Sequence, residues 1–245
     1  MPDFIRPDWP APDRVRALQT TRMGGVSRGR YATMNLGDHV GDDPACVGEN
    51  RRIVRQYLPG EVLWMKQVHG VAVAEAGDDI VGVEADAALS RQTGQVCVVL
   101  TADCLPVLLC DRSGTVVAAV HAGWRGLCAG VIEQTVAAMG IAGEELLAWL
   151  GPAIGSTVFE VGEEVRAAFL ARDEQAADAF LAKAGGKWLA DIYLLARLRL
   201  GRLGVTAIYG GEHCTLSESE RFFSYRRDGE TGRMGSFIWL ENSGV

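Results

Sequence analysis

The spacing of the apolar positions changes repeatedly along the chain, from unbroken runs to helical spacing, and this predicts a mixture of strands and helices. Strands are expected where apolar runs are short and are bounded by glycine or charged residues. The predicted strands are EVLWMKQVHG (61–70), VAVAEA (71–76), two strands within GQVCVVLTADCLPVLLCD (94–111) with a break at Ala102 to Pro106, GTVVAAVHAGWRG (114–126), ELLAWLGPAIG (145–155) and VTAIYG (205–210).

Helical spacing of apolar residues occurs in four other segments. These predicted helices are ENRRIVRQYL (49–58), LCAGVIEQTVAAMG (127–140), GEEVRAAFLARDEQAADAFLAK (162–183) and ADIYLLARLRLGRLG (190–204). Gly140 is expected to cap the second of them, because glycine adopts the left-handed conformation of a helix C-terminus. RFFSYRRDGETGRMGSFIWL (221–240) predicts a hairpin, since its DG and TG steps turn the chain.

Strands outnumber helices and come in adjacent pairs, which favours an α+β fold over a regular βαβ repeat. No long linker rich in glycine, serine or proline divides the sequence. We therefore expect a single domain over residues 1–245, with residues 1–17 as an N-terminal extension.

The composition excludes several classes of protein. Hydrophobic residues make up 48% of the 245 residues and charged residues 22%, as in an ordinary globular chain. The net charge of −7 argues against nucleic acid or an anionic membrane as a partner. The segment MPDFIRPDWPAPDR lacks the apolar run of a signal peptide. A cytoplasmic location is expected, with the six cysteines reduced.

Two of the four histidines and one cysteine lie where predicted strands end. His69 and His121 each come shortly before a glycine, and Cys104 lies at the break between two strands. Two imidazoles and a thiolate are a good donor set for zinc, with a fourth position left for water. The three residues are far apart in sequence, however, and the HExxH motif is absent. Taken alone, the residues leave open whether they bind a metal or pack in the core.

Arginines beside glycines are the second chemical signal. They are Arg22 in TTRMGG, Arg125 in HAGWRG and Arg226 in SYRRDG. A guanidinium fork suits phosphate or carboxylate, and glycine lets the backbone approach a ligand closely. Solvated arginines in surface loops are the alternative interpretation.

Short blocks spread over residues 18–240 occur in an order that resembles the YfiH family, whose members are also called polyphenol oxidases, laccase-domain proteins and purine nucleoside phosphorylases. The blocks are TTRMGGVS, MNLGDHVGDDP, NRR, QVHG, TADCLPVLL, HAGWRG, GPAIG, FEVG and SYRRDGETGR. The resemblance implies a single-domain four-layer α/β/β/α sandwich with mixed sheets. It also implies a zinc site on His69, Cys104 and His121, the positions that match the family's ligands.

The activity implied by the resemblance is phosphorolysis of adenosine, inosine and methylthioadenosine, together with deamination of adenosine. Zinc would activate water for attack at C6 of adenosine, and phosphate would attack C1′ of the ribose. Arg22, Arg125 and Arg226 are the candidates for binding phosphate, with Asn35 and Asp103 as hydrogen-bonding or proton-transfer groups. The expected partners are a purine nucleoside and phosphate, and the expected state is a monomer or weak homodimer.

Alternative functions remain open at this stage. Cys104 with His121 or His69 as its base would make an amide hydrolase, acting for example on a cell-wall precursor. The same trio could bind one copper ion and act as a polyphenol oxidoreductase. Four histidines are too few for the trinuclear copper cluster of a conventional laccase. A protein that only binds a partner, with a vestigial pocket, is the non-enzymatic alternative.

Overall fold

The computed structural model describes residues 2–76 and 82–242, and within them the strands form three sheets. The strands are β1 (Phe4–Ile5), β2 (Val15–Thr20), β3 (Val62–Leu63), β4 (Val73–Glu75), β5 (Ala87–Ser90), β6 (Val96–Thr101), β7 (Leu105–Asp111), β8 (Val117–Ala122), β9 (Leu146–Leu150), β10 (Glu160–Gly162), β11 (Phe180–Lys183), β12 (Lys187–Ala190), β13 (Ala207–Gly210) and β14 (Met234–Leu240). The helices are α1 (Pro44–Arg55), α2 (Trp124–Ala129), α3 (Val131–Met139), α4 (Glu163–Leu170), α5 (Ile192–Arg202) and α6 (Tyr225–Asp228), with 3-10 turns at Gly29–Tyr31, Gly143–Glu145 and Glu174–Ala179.

The two large sheets contain both parallel and antiparallel pairs. One has the order β1-β2-β14-β6-β3 and the other the order β13-β9-β7-β8-β5-β4, while β10-β12-β11 form a small third sheet. In the six-stranded sheet β7 is antiparallel to β8 and β9, whereas β13 is parallel to β9. These mixed sheets, combined with helices, confirm the predicted α+β class.

Successive side chains along the central strands point alternately into different layers of the core. In β7, Val107 and Leu109 pack with the helices α2 to α5, while Leu108 and Cys110 pack between the two large sheets. Side chains alternate between the two faces of a strand, so one apolar run serves two different cores. The other face of the five-stranded sheet packs against α1 through a cluster that includes Val54. The packing order is therefore helix, sheet, sheet, helices, as in the expected four-layer sandwich.

The two apolar strands β6 and β7 follow each other in sequence but belong to different sheets. Only residues 102–104 connect them, so the break predicted in this segment is a crossover between the sheets. Cys104 lies at this crossover. The crossover therefore places the cysteine beside the end of a strand of each large sheet.

Two predicted elements, the helix at 162–183 and the hairpin at 221–240, are partly wrong. The predicted helix at 162–183 ends at Leu170, and residues 180–183 form β11, which pairs with β12. The predicted hairpin at 221–240 is absent, since β14 pairs with β2 and β6 while Ser224 caps the short α6. Local patterns do not reveal the long-range pairing of β14.

Two further predictions need smaller corrections. The segment 61–70 is a strand only at β3, because the amide of Gln67 donates to the Leu100 carbonyl (2.9 Å) and accepts from the Leu100 N–H (2.7 Å) of β6. A side chain thus takes the place of backbone pairing. The helix predicted at 127–140 is divided by Gly130, which has a φ of 108°, whereas Gly140 ends it as expected.

The N-terminal residues are part of the five-stranded sheet. β1 pairs with β2, and β2 pairs with β14, so residues 4–5 and 15–17 belong to the sheet and are not an extension of it. Among residues 2–76 and 82–242, no helix combines the length and apolar character that crossing a membrane requires.

Candidate functional site

Three side chains that are distant in sequence lie together near the start of β7 and the end of β8. The candidate ligand atoms of His69, Cys104 and His121 are all within 4.8 Å of one another, and Cys104 Sγ is 3.8 Å from His69 Nε2. His121 is near the end of β8, on the face that Val117 and Ala119 direct into the layer between the sheets. His69 lies in the loop between β3 and β4, so it does not end a strand as predicted.

Asp86 holds both histidines in place. Its carboxylate accepts hydrogen bonds from the backbone N–H groups of Val68 (3.2 Å), His69 (3.0 Å) and Gly70 (2.6 Å). The same carboxylate is 2.7 Å from His121 Nδ1, which leaves Nε2 of that ring for a ligand. A carboxylate on the far nitrogen of a histidine is the usual way in which proteins orient a metal ligand. One buried acid therefore fixes a loop and an imidazole together.

Unusual backbone conformations, together with a glycine at position 123, allow His69, Cys104 and His121 to lie this close together. His69 has a φ of 60°, and Asp103, next to Cys104, has a φ of 87°. A Cβ atom on Gly123 would lie 3.0 Å from Cys104 Sγ and 3.0 Å from His69 Cδ2. Contacts this short are unusually tight, so a larger residue at the start of α2 would push against Cys104 and His69.

The trio favours a thiolate. Burial would raise the pKa of Cys104, but the charge and hydrogen bond of His121, together with His69, outweigh it and lower the pKa to about 6. Burial would likewise lower the pKa of His121, but the charge of Cys104 and the hydrogen bond to Asp86 raise it to about 9. The thiolate is the form of cysteine that binds metals and attacks substrates.

The donor set fits a tetrahedral metal ion. Ordinary zinc–sulfur and zinc–nitrogen bond lengths place sulfur and nitrogen ligands about 3.6 Å apart in a tetrahedron. The observed separation of 3.8 Å between Cys104 Sγ and His69 Nε2 is close to this. Three protein ligands leave a fourth position, as in catalytic zinc sites. The residues present therefore fit a zinc ion.

The trio forms part of the wall of a cavity of about 530 Å³. This volume lies within the range of small-molecule sites. The other lining residues include three arginines, three aromatic side chains, and the end of β6 with the residue that follows it: Arg125, Arg226, Arg233, Trp124, Phe159, Tyr225, Leu100, Thr101 and Ala102. Aromatic faces suit a planar ring, and guanidinium groups suit an anion.

The predicted arginines divide into two groups. Arg125 and Arg226 line the cavity; Arg226 also donates to the Glu160 carbonyl (2.7 Å) and lies over the ring of Phe159. Arg22 is not among the lining residues. Its guanidinium donates to the carbonyls of Ala32 (3.0 Å) and Ser219 (2.9 Å), so it connects two loops.

Asn35 and Asp103 also have structural partners. The side-chain oxygen Oδ1 of Asn35 accepts from the backbone N–H groups of Gly37 and Arg233, at 2.9 Å each. Asp103 lines the cavity, and its carboxylate accepts from the hydroxyls of Thr215 (2.6 Å) and Ser224 (3.0 Å) and from the Arg226 N–H (2.7 Å). These bonds fix α6, which carries Tyr225 and Arg226, against the crossover.

The sequence-based reasoning missed three residues around this cavity. Asp86 follows an alanine in an unremarkable EADAAL segment, and Thr101 looks like one more strand residue. Arg233 was within reach of the criterion used for the other arginines, because it follows Gly232 and precedes a strand in TGRMG. Asp86 carries no comparable local signal, since its role depends on contacts with residues 16 to 35 positions away.

Comparison with known proteins places the chain in a family. The family model described as "Multi-copper polyphenol oxidoreductase laccase" matches residues 16–241. The protein "Purine nucleoside phosphorylase YfiH" of Escherichia coli is 55% identical over 243 residues, covering 98% of this chain and all of that protein. This chain belongs to the YfiH family.

Other relatives are also similar to this chain over nearly its whole length. "Purine nucleoside phosphorylase PA4543" of Pseudomonas aeruginosa is 56% identical over 240 residues, covering 98% of this chain and 99% of that protein. The crystal structure of Neisseria meningitidis protein NMB0706 has a TM-score of 0.96 at 52% identity, covering 98% of this chain and 99% of that one. YfiH of Bacillus licheniformis has a TM-score of 0.87 at 29% identity, with 94% of each chain covered.

The description of the YfiH family model mentions several copper ions, and clusters of that kind need many histidine ligands. The chain has four histidines, of which His69 and His121 belong to the trio. His39 lines the cavity, whereas the His213 ring lies 3.2 Å from the Glu218 carboxylate. One metal ion on the trio is compatible with this inventory, but the imidazole-rich cluster of a multicopper oxidase is not.

Proposed function

We propose that the chain is a zinc-dependent purine nucleoside phosphorylase that acts on adenosine, inosine and methylthioadenosine and also deaminates adenosine. The observation that carries this proposal is the His69, Cys104 and His121 trio in the wall of a cavity lined by arginines and aromatic rings. The relatives named as purine nucleoside phosphorylases support it, since they cover nearly the whole chain.

Zinc is proposed in preference to copper. A copper site with two histidines and a cysteine usually takes a weak axial methionine. No methionine lines the cavity in the part of the chain that the structure describes. A bound zinc ion would supply Lewis acidity and lower the pKa of a bound water toward ~7.

In phosphorolysis, an oxygen of phosphate forms a bond to C1′ of the ribose as the bond from C1′ to the purine nitrogen breaks. That nitrogen keeps the electron pair and takes up a proton, which yields ribose 1-phosphate and the free purine. Arg125 and Arg226 attract the phosphate dianion into the cavity, while the rings of Phe159 and Tyr225 offer faces on which a purine stacks.

In deamination, water adds at C6 of adenosine and ammonia leaves, so that inosine forms. Asp86 keeps the ring of His121 oriented through Nδ1. Asp103 keeps α6, with Tyr225 and Arg226, at the cavity wall. These two acids already accept several hydrogen bonds, so we assign them the positioning of other groups and not proton transfer.

Product analysis tests the proposal directly. The purified protein is incubated with adenosine, with and without phosphate, and the products are identified by mass spectrometry while bound metal is quantified. We expect adenine and ribose 1-phosphate only with phosphate present, inosine and ammonia in either case, and about one zinc per chain. Absence of all these products would refute the proposed purine chemistry and leave the amide hydrolase and the protein that only binds a partner as the alternatives.

A Cys–His amide hydrolase is the competing proposal, because the lowered pKa of Cys104 also suits a nucleophile. A thiolate bound to zinc is shielded from alkylation, whereas a free catalytic thiolate is not. Iodoacetamide treatment before and after chelation therefore separates the two. Protection of Cys104 that chelation removes supports the metal site; rapid alkylation of a metal-free, active protein supports the hydrolase.

A further inference from the structure

The cavity is cationic although the chain is acidic overall. Three arginines line it, whereas Asp103 is the one carboxylate among its lining residues in the part of the chain that the structure describes. The hydroxyls and N–H group that donate to Asp103 already occupy its carboxylate. The chain as a whole carries a net charge of −7. Local positive charge of this kind indicates a ligand with an anionic group.

Arg233 is held in place by contacts along its backbone and its side chain. Asn35 accepts from its backbone N–H (2.9 Å), and its own carbonyl accepts from the Leu36 N–H (3.1 Å). Its side chain crosses Gly37, where an added Cβ would lie 2.8 Å from Arg233 Cγ. Nη1 donates to the carbonyls of Thr231 (2.8 Å) and Gly232 (3.1 Å). The side chain is therefore held from both ends before any ligand binds.

Part of this guanidinium remains available. Within residues 2–76 and 82–242, Arg233 forms no ion pair, and its Nε and Nη2 donate to no protein acceptor. Burial lowers its pKa, although the charges of Cys104 and Asp103 oppose the shift. A partly buried guanidinium that forms no ion pair is stabilised when a ligand supplies an anionic group to its free N–H groups.

Thr101 provides an independent observation in the same cavity. It is 1% exposed, and its hydroxyl has no hydrogen-bond partner among the described residues. Thr101 at the end of β6 pairs with Met234 at the start of β14, so Thr101 lies beside the residue that follows Arg233. Buried hydroxyl groups are nearly always bonded, which makes this one a candidate for contact with a ligand.

We propose that the Arg233 guanidinium and the Thr101 hydroxyl bind the anionic group of the substrate, which is inorganic phosphate in the reaction proposed above. This inference rests on the proposed phosphorolysis for the identity of the anion. Nε and Nη2 of Arg233 donate to two phosphate oxygens, and the Thr101 hydroxyl donates to another oxygen. Such donation to a charged acceptor is stronger than an ordinary neutral hydrogen bond.

Calorimetric titration of the metal-loaded protein with inorganic phosphate tests the proposal. The variants are Arg233→Met, Arg233→Lys, Thr101→Val and Thr101→Ser, and Arg16→Met is a matched control in which the arginine is exposed and pairs with Glu241 instead. We expect phosphate affinity to fall on the order of 10- to 100-fold in Arg233→Met and about tenfold in Thr101→Val. Thr101→Ser should retain most of the affinity, and Arg16→Met all of it.

Kinetics and metal content show whether the effect is specific. In Arg233→Met, KM for phosphate should rise much more than KM for the nucleoside, with zinc content unchanged. Equal phosphate affinity in the wild-type chain and both Arg233 variants would overturn the inference even if ribose 1-phosphate forms. Phosphate binding that depends on Arg233 without any ribose 1-phosphate would leave the anion site standing and overturn the phosphorylase. If Arg233→Met does not fold, Arg233→Lys and Thr101→Val still decide the question.

Discussion

Replacing Asp86 with asparagine should weaken zinc binding through both histidines at once. Oδ1 of Asp86 faces the His69 N–H and His121 Nδ1, and Oδ2 faces the N–H groups of Val68 and Gly70. An asparagine places its NH2 group against two donors in either orientation. The structure therefore offers no orientation in which the amide satisfies this site.

The expected magnitude follows from these contacts. Loss of a carboxylate that orients a metal-binding histidine typically weakens metal affinity about 10- to 100-fold. That range corresponds to about 1.4 to 2.7 kcal/mol of binding free energy. Two unsatisfied buried donors should also lower the free energy of unfolding of the metal-free protein by about 2 to 4 kcal/mol.

Competition with a zinc chelator measures the first effect, and thermal unfolding of the metal-free protein measures the second. Asp111→Asn is the matched control, since buried Asp111 also accepts from two backbone N–H groups and one hydroxyl, those of Thr115 and Val116, but contacts none of the trio. It should keep its zinc affinity and lose less stability, because an asparagine there can direct its oxygen at both N–H groups and its NH2 group at the Thr115 hydroxyl, which can also accept. Unchanged affinity in Asp86→Asn, or an equal loss in the control, would refute the assigned role of Asp86.

Three further predictions concern other parts of the site. Cys104→Ala should abolish stoichiometric metal binding and purine chemistry while the circular dichroism spectrum stays native; retained activity would contradict the site. Gly123→Ala should lower zinc affinity, because its Cβ would meet Cys104 Sγ and His69 Cδ2 at 3.0 Å, whereas Gly201→Ala, with open space around it, should not. Arg22→Met should lower the melting temperature without raising KM for phosphate, since the Arg22 guanidinium connects two loops. A raised KM would indicate that Arg22 binds phosphate after all.

The sequence revealed those parts of the fold that depend on local spacing. The apolar runs that became β6 to β9 and the helix that became α5 were found, because burial imposes a regular spacing. The helix expected at 162–183 was wrong at its end, where residues 180–183 form a local antiparallel pair with β12, and the hairpin expected at 221–240 was wrong because β14 pairs with the distant strands β2 and β6. Spacing along the chain carries no information about which strands become neighbours.

The candidate site shows the same limit. His69, Cys104 and His121 were selected as chemically suitable residues at strand ends, and the family resemblance named them together. Asp86 and Thr101 could not be selected, because a buried acid and an unbonded hydroxyl are defined only by what surrounds them. Arg22 had the same local sequence features as Arg125, yet only the latter lines the cavity.

The three-residue connection between β6 and β7 has a mechanical consequence. Because those strands belong to different sheets, any sliding of one sheet over the other must strain residues 102–104, which include Cys104. The alignment of the two sheets is thus a geometric parameter of the reaction centre. Leu108 and Ile238 lie within the apolar layer that sets this alignment. Enlarging or trimming these side chains should therefore disturb the chemistry even though neither lines the cavity.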